Sequence, residues 1–195
     1  NLVGGDLDTN ERDAFGVIIN EARNYGMRPE LTRLDAMQRY ILPCYPAFVH
    51  GTWTKKSLES LGADITPIAY DKIWDKMSSV RSTFTTPSSG SGWATAKPWE
   101  AFASGTICFF HPGYDTQGHV VPTLEQLKQG GIDTSLSALA SWLRVRSPDD
   151  LKKRVDAVHS DRATYEWLRD AQYRHLAAAQ KANRCVTTIE ERLGL

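Results

Sequence analysis

Lys97-Pro98-Trp99-Glu100-Ala101-Phe102-Ala103-Ser104-Gly105-Thr106-Ile107-Cys108-Phe109-Phe110-His111-Pro112 is the stretch that decides the fold. Glu100 opens a short helical pattern, with Ala101, Phe102 and Ala103 behind it. Gly105 stops that helix, because glycine tolerates the left-handed conformation at a helix C-terminus. Ile107 to Phe110 is then apolar at every position, and His111-Pro112 ends the run. A short run that is apolar on both faces reads as a strand buried between helical layers. The stretch is therefore a helix feeding a central strand of an α/β sheet. Just upstream lies Pro87-Ser88-Ser89-Gly90-Ser91-Gly92, a loop of glycine and hydroxyl residues. A flexible loop, a helix start and a buried strand together suit the binding of a phosphate.

The pattern repeats to either side. Upstream, Phe15 to Ile19 is a first buried strand, ending at Asn20-Glu21-Ala22-Arg23. Leu31, Leu34, Met37 and Ile41 form a helical stripe closed by Pro43 and Pro46. Ala47 to His50 is a second strand, running into Gly51-Thr52-Trp53. Ile65 to Tyr70 is a third candidate, weakened by Pro67. Ile73, Trp74, Met77 and Val80 mark a helix, and Ser82 to Thr86 a strand leading into the glycine-serine loop. Downstream, Leu124 and Leu127 suggest a short helix ended by Gly130-Gly131, and Leu136 to Val145 fits either helix or strand. Ser147-Pro148-Asp149-Asp150 is a strong helix start, with an N-cap serine, proline at N1 and acids in the first turn. A last helix spans about Ser160 to Ala182. Short strands alternating with helices predict an α/β fold, a Rossmann-like doubly wound parallel sheet with C-terminal helices. Residues 1–13 read as a lead-in, 14–158 as the Rossmann-like domain, and 159–195 as a helical extension packing on it.

Composition narrows the function. The chain has 195 residues, is 41% apolar, and carries 23 basic and 23 acidic side chains. No bulk basic field points to nucleic acid, though a local patch stays open. The cysteines Cys44, Cys108 and Cys185 are odd in number and far apart, which fits neither a disulfide framework nor a zinc knuckle. No apolar run approaches the roughly 18 residues that span a membrane, and no signal peptide is visible. The expectation is a cytoplasmic protein (host cytoplasm if viral) with no membrane partner.

The segment Phe84 to Thr106 resembles the donor-binding loop and helix of the two-Rossmann-domain, or GT-B, glycosyltransferases. In that family a strand ends in Pro-Ser, and a glycine-rich loop, a Glu-Ala-x-Ala-x-Gly helix and a buried strand follow. Here Thr86-Pro87-Ser88, Gly90-Ser91-Gly92 and Glu100 to Thr106 fill those places. A weaker likeness extends over about residues 15 to 180, all of it the C-terminal, donor-binding half. Lys97 to Glu100 and His111 to Asp115 are most similar to bacteriophage-encoded members.

The resemblance implies a glycosyltransferase donor domain that binds a nucleoside diphosphate sugar, UDP-linked, with no cofactor beyond the donor and no essential metal. It gives Glu100 the ribose diol, which a carboxylate suits by accepting two hydrogen bonds. Lys97 and Arg23 would stabilise the leaving diphosphate as catalytic cations. Ser91, Gly92, Trp93, Thr95, Gly51 and His111 would line the donor pocket, and Trp53 would stack on the base. These residues sit at or just beyond the carboxyl ends of the predicted strands, where open α/β sheets bind ligands. Gly92 departs from the pattern, since many retaining members carry a glutamate eight residues before the ribose glutamate. The acceptor, a phage DNA base or a protein, would be held by an N-terminal acceptor-binding domain or a partner chain.

Plainer readings stand beside these. Glu100 can stabilise a helix dipole, Arg23 and Lys97 can be solvated cations, and Trp53 can belong to the core. His111, Asp115 and His119 invite a metal reading that Pro112, Gly113 and Gly118 weaken. The alternative function is a non-catalytic nucleotide-binding or interaction module.

Overall fold

The computed structural model describes residues 12–21, 28–87, 95–129 and 134–182. In chain order, β1 (Asp13–Ile18) is followed by α1 (Arg33–Ala36), β2 (Phe48–His50), α2 (Lys55–Leu61) and α3 (Ile73–Ser78). Then come β3 (Val80–Thr85), α4 (Lys97–Ala103), β4 (Ile107–Phe110), α5 (Leu124–Gln129) and α6 (Thr134–Leu143). The chain continues through α7 (Pro148–Ser160) and α8 (Arg162–Ala182).

The four strands form one parallel sheet in the order β2-β1-β3-β4. The chain starts in the middle, steps outward to β2, and crosses back to β3 and β4. That reversal between β1 and β3 makes the sheet doubly wound. Register is set by apolar pairs, Val17 opposite Val49 and Phe84 opposite Phe109. On one side α7 packs on β1, β3 and the turn of residues 37–44; on the other α3, α4, α6 and α8 pack on the strands and on one another. The core between these layers holds Phe15, Val17, Phe84, Phe102, Phe109 and Leu143, all essentially inaccessible.

Local signals account for the boundaries. Gly105 takes φ +76° just past α4, as expected of a glycine that ends a helix. Ser147 caps α7, its hydroxyl accepting from Asp150 N at 3.2 Å. Gly51 is required by a close crossing, since a Cβ there would lie 1.9 Å from the carbonyl oxygen of Ile19.

Several expectations are corrected. β4 is not central but the last strand of the sheet, met on its far side by a single bridge from Phe110 to Arg144. Its burial comes from α4, α6 and α8 instead. Ile65 to Tyr70 is not a strand; only Thr66 bridges to His50, and a 3-10 turn over Tyr70–Lys72 follows. Val80 opens β3 rather than closing a helix. The stripe from Leu31 to Ile41 is broken into a 3-10 turn, α1, a π turn (Met37–Ile41) and a 3-10 turn containing Pro43. Proline has no N–H to continue the ladder, so the wide π turn gives way at Pro43 to a tight 3-10 turn. The ambiguous stretch from Leu136 is α6, with a bridging residue at Arg144. α7 runs through Ser160, so the last helix starts at Arg162.

Candidate functional site

Because all four strands are parallel, their carboxyl ends share one edge of the sheet. The segments that leave this edge begin at Ile19, Gly51, Thr86 and His111. The first two are stitched together. Asn20 Oδ1 accepts from Thr52 N at 2.9 Å, and Glu21 Oε2 accepts from Thr54 N at 2.6 Å. Glu21 Oε1 also accepts from Ser57 Oγ at 2.6 Å. Burial raises the Glu21 carboxyl, but the hydrogen bonds from Ser57 and Thr54 outweigh it and leave the pKa below the ordinary value.

Above this edge stand two cations from different elements. Arg33 begins α1, with its guanidinium NH1 donating to Asn20 O at 2.7 Å and its Nε buried without a partner among the described residues. Lys97 begins α4. Burial lowers the Lys97 ammonium to about 8, and the positive charge of Arg33 pushes the same way. Cys108 and Glu100 act in the opposite direction without reversing the shift. Burial alone lowers Arg33. Two like charges are thus held near each other in a poorly hydrated place, which is unfavourable until an anion joins them.

Glu100 lies in the first turn of α4, exposed, and its carboxylate makes no hydrogen bond among the described residues. Thr95 is tied down, its amide donating to Tyr114 Oη at 2.7 Å. Tyr114 is fully buried and so ties the approach to α4 to the loop that follows β4. Pro98 supplies no amide, so the helix start offers fewer donors to a phosphate than its sequence suggests.

His111 follows β4 and is 3% exposed. Burial, together with the charge of Arg39, lowers it to about 4, so the ring is neutral at pH 7. Nearby, Asp115 is inaccessible, at φ +50°, and accepts from the amides of His119, Val120 and Val121 and from Arg144. Those bonds make it the anchor of the loop after β4. His119 pairs with Gln117, and no group of three or more His, Cys, Asp and Glu side chains converges among the described residues.

Two expected site residues turn out to be built into the framework. Trp53 is buried in the core, with Nε1 donating to Ile19 O at 2.7 Å. Its ring faces packing partners rather than an open pocket, so it is corrected from base platform to core. Gly51 serves the crossing with Ile19. Arg23, Ser91, Gly92 and Trp93 lie outside the described residues. Arg33 was missed by sequence reasoning, which saw only the apolar stripe around it. One signal was available: Thr32 caps α1, so Arg33 places a cation at a helix N-terminus, against the macrodipole.

Compared by sequence, the chain matches no protein-family model and no curated protein. Compared by structure, it is similar to phage T4 beta-glucosyltransferase bound to UDP-glucose, at 12% identity and TM-score 0.65, covering 95% of this chain and 49% of that one. A structure described as the DNA modifying enzyme beta-glucosyltransferase aligns at 12% identity and TM-score 0.64, over 94% of this chain and 53% of that one. The O-GlcNAc transferase of Thermobaculum terrenum aligns at 17% identity and TM-score 0.52, over 98% of this chain and 38% of that one. The chain spans about half the length, or less, of the solved structures it matches. Its fold is that of one half of a GT-B glycosyltransferase. Among the described residues, no helix is long and apolar enough to cross a membrane.

Proposed function

We propose that this chain is the donor-binding half of a glycosyltransferase and holds a nucleoside diphosphate sugar, UDP-linked, at the carboxyl edge of its sheet. The observation that carries the reading is the pairing of Lys97 with Arg33. Two partly buried cations on separate elements, near enough for one charge to act on the other, are what a diphosphate needs. As the bond from sugar to phosphate breaks, negative charge grows on the departing diphosphate. We assign Lys97 and Arg33 to stabilise that charge, together with Arg23, which follows β1 in the sequence. Glu100, exposed and unengaged, is suited to accept from the ribose diol. With the charge met by these cations, the reading calls for no cofactor beyond the donor.

The likeness to enzymes that bind UDP-glucose favours uridine. Transfer needs an acceptor, here a DNA base or a protein, held by an N-terminal domain or a partner chain. The near-zero net charge gives DNA no support. A second reading, a nucleotide-binding module without turnover, keeps the same site. Gly92, where many members carry a glutamate, favours it.

The test is a calorimetric titration of the chain with UDP, UDP-glucose and NAD, repeated on Lys97→Met and Glu100→Ala. Uridine nucleotides should bind, NAD should not, and both substitutions should weaken binding. A folded chain that ignores all three ligands overturns the proposal. Sugar release or transfer from UDP-glucose then separates enzyme from module.

A further inference from the structure

Beside the end of β4 lies a cavity of about 280 Å3, lined by His111, Leu124, Ser141, Arg144 and Arg146 among others. That is close to the roughly 300 Å3 at which ligand pockets begin, and far more than the ~30 Å3 share of one water. Its polar side chains are mostly donors, with the Ser141 hydroxyl able to accept as well. Gly113 N donates to His111 Nδ1 at 3.1 Å, so the one proton of the neutral ring sits on Nε2. Nε2 is buried and has no partner among the described residues, a costly state for a donor with nothing to meet. Arg144 Nε is likewise buried and unpartnered, although the other guanidinium nitrogens are bound to Asp115 and to Val121 O. Arg146 is exposed and brings a full positive charge to the lining.

Two carboxylates near this cavity, Asp115 and Asp150, are already committed. Asp115 is held by Arg144 and three backbone amides. Asp150 is held by Arg154 at 2.8 Å and accepts from Arg146 N at 2.8 Å. A ligand must therefore supply acceptors, and Arg146 favours a charged one. Pro112, Leu124 and Val145 give the remaining wall an apolar character, against which the C–H face of a sugar ring can rest.

We propose that this cavity binds a sugar-sized oxyanion, a monosaccharide bearing a phosphate or carboxylate, with His111 Nε2–H, Ser141 and Arg146 as its donors. The neutral state of His111 fits this role, since the ring donates without adding a charge that burial would penalise. The proposal concerns binding and stands whether or not the nucleotide reading holds.

The test is calorimetric titration of the whole chain with glucose 6-phosphate, glucuronate and glucose, with and without saturating UDP. At least one charged sugar should bind and glucose should not; the stronger of the two identifies the oxyanion. Arg146→Ala should weaken that binding at least tenfold and leave the UDP titration unchanged. On binding, the 15N resonance of His111 Nε2 should shift, and His111→Asn should lower affinity while circular dichroism shows an intact fold. Absence of binding by both charged sugars overturns the proposal. So does binding that UDP displaces and Arg146→Ala leaves untouched, because the anion would then sit at Lys97 and Arg33.

Discussion

Gln172 and Cys108 are joined across the open side of β4: the Gln172 Oε1 accepts from the Cys108 amide at 3.1 Å, while Nε2 donates to Thr106 O at 3.2 Å. One carboxamide on α8 thereby satisfies an amide and a carbonyl that a fifth strand would otherwise take. An edge strand presents unpaired donors and acceptors, and β4 is buried, so those groups cannot turn to water.

Gln172→Ala should therefore be severely destabilising. Two buried backbone groups would lose their partners, at about 1–3 kcal/mol each. In a domain of this size each kcal/mol is worth roughly 2–4 °C, so thermal unfolding should fall by about 4–24 °C. Gln172→Glu restores the Cys108 bond but, when ionised, cannot donate to Thr106 O, and should recover only part of the loss. Differential scanning calorimetry of the three proteins checks this. A Gln172→Ala protein that melts within a degree of the parent would show that β4 gains nothing from α8.

The same pair explains what could be read in advance and what could not. Ile107 to Phe110 was legible as a buried strand because burial on both faces leaves a local mark, an unbroken apolar run. Gly105 and Ser147 were legible because capping is chemistry within one turn. The place of β4 at the end of the sheet was not legible, since a side chain 64 residues away covers it. Trp53 misled for a related reason: a tryptophan after a strand suits a stacking platform or a core, and only its bond to Ile19 O decides. Arg33 hid inside an apolar stripe. Its role emerges from its nearness to Lys97, which comes from a different element.

Lys97 should give ligand binding a pH dependence of known sign. With the ammonium lowered to about 8, the charge that attracts a diphosphate disappears as pH rises from 7 to 9. UDP affinity should fall over that window by about tenfold, the effect of removing one close charge. Lys97→Arg, whose cation does not titrate there, should abolish the decline. The folded chain itself behaves oppositely. Its Lys97 pKa lies below the unfolded value of 10.5, so the unfolded state binds more protons between about 8 and 10.5 and stability rises through that window. Lys97→Met should accordingly raise the melting temperature at pH 7 while weakening UDP. Titrations at pH 7 and 9, paired with melting curves, check both halves.

Arg33 should matter for the form of its side chain as well as its charge. Its guanidinium already spends NH1 on Asn20 O, leaving other N–H groups of a rigid fork for a phosphate. Arg33→Lys keeps a charge but cannot both hold Asn20 and reach outward, and should lose about tenfold in UDP affinity. Arg33→Ala should lose more. The double variant with Lys97→Met should lose less than the two single effects combined, because each cation strains the other in the free protein. Strict additivity in this cycle would mean the two charges do not share a ligand.

Glu100 should discriminate between ribose and deoxyribose. Its carboxylate is exposed and free of hydrogen bonds among the described residues, so removing it leaves no orphaned partner in the protein and should move the melting temperature little. Any loss in Glu100→Ala is then a loss of ligand contact. A carboxylate accepting from a hydroxyl is worth about 1.5–3 kcal/mol, or roughly 10- to 150-fold in UDP affinity. The parent should bind UDP more tightly than its 2′-deoxy counterpart, and Glu100→Ala should bind the two nearly alike, since the group that reads the hydroxyl is gone. If instead the variant weakens both nucleotides equally and preserves the preference for ribose, Glu100 acts through the helix dipole, and another residue holds the diol.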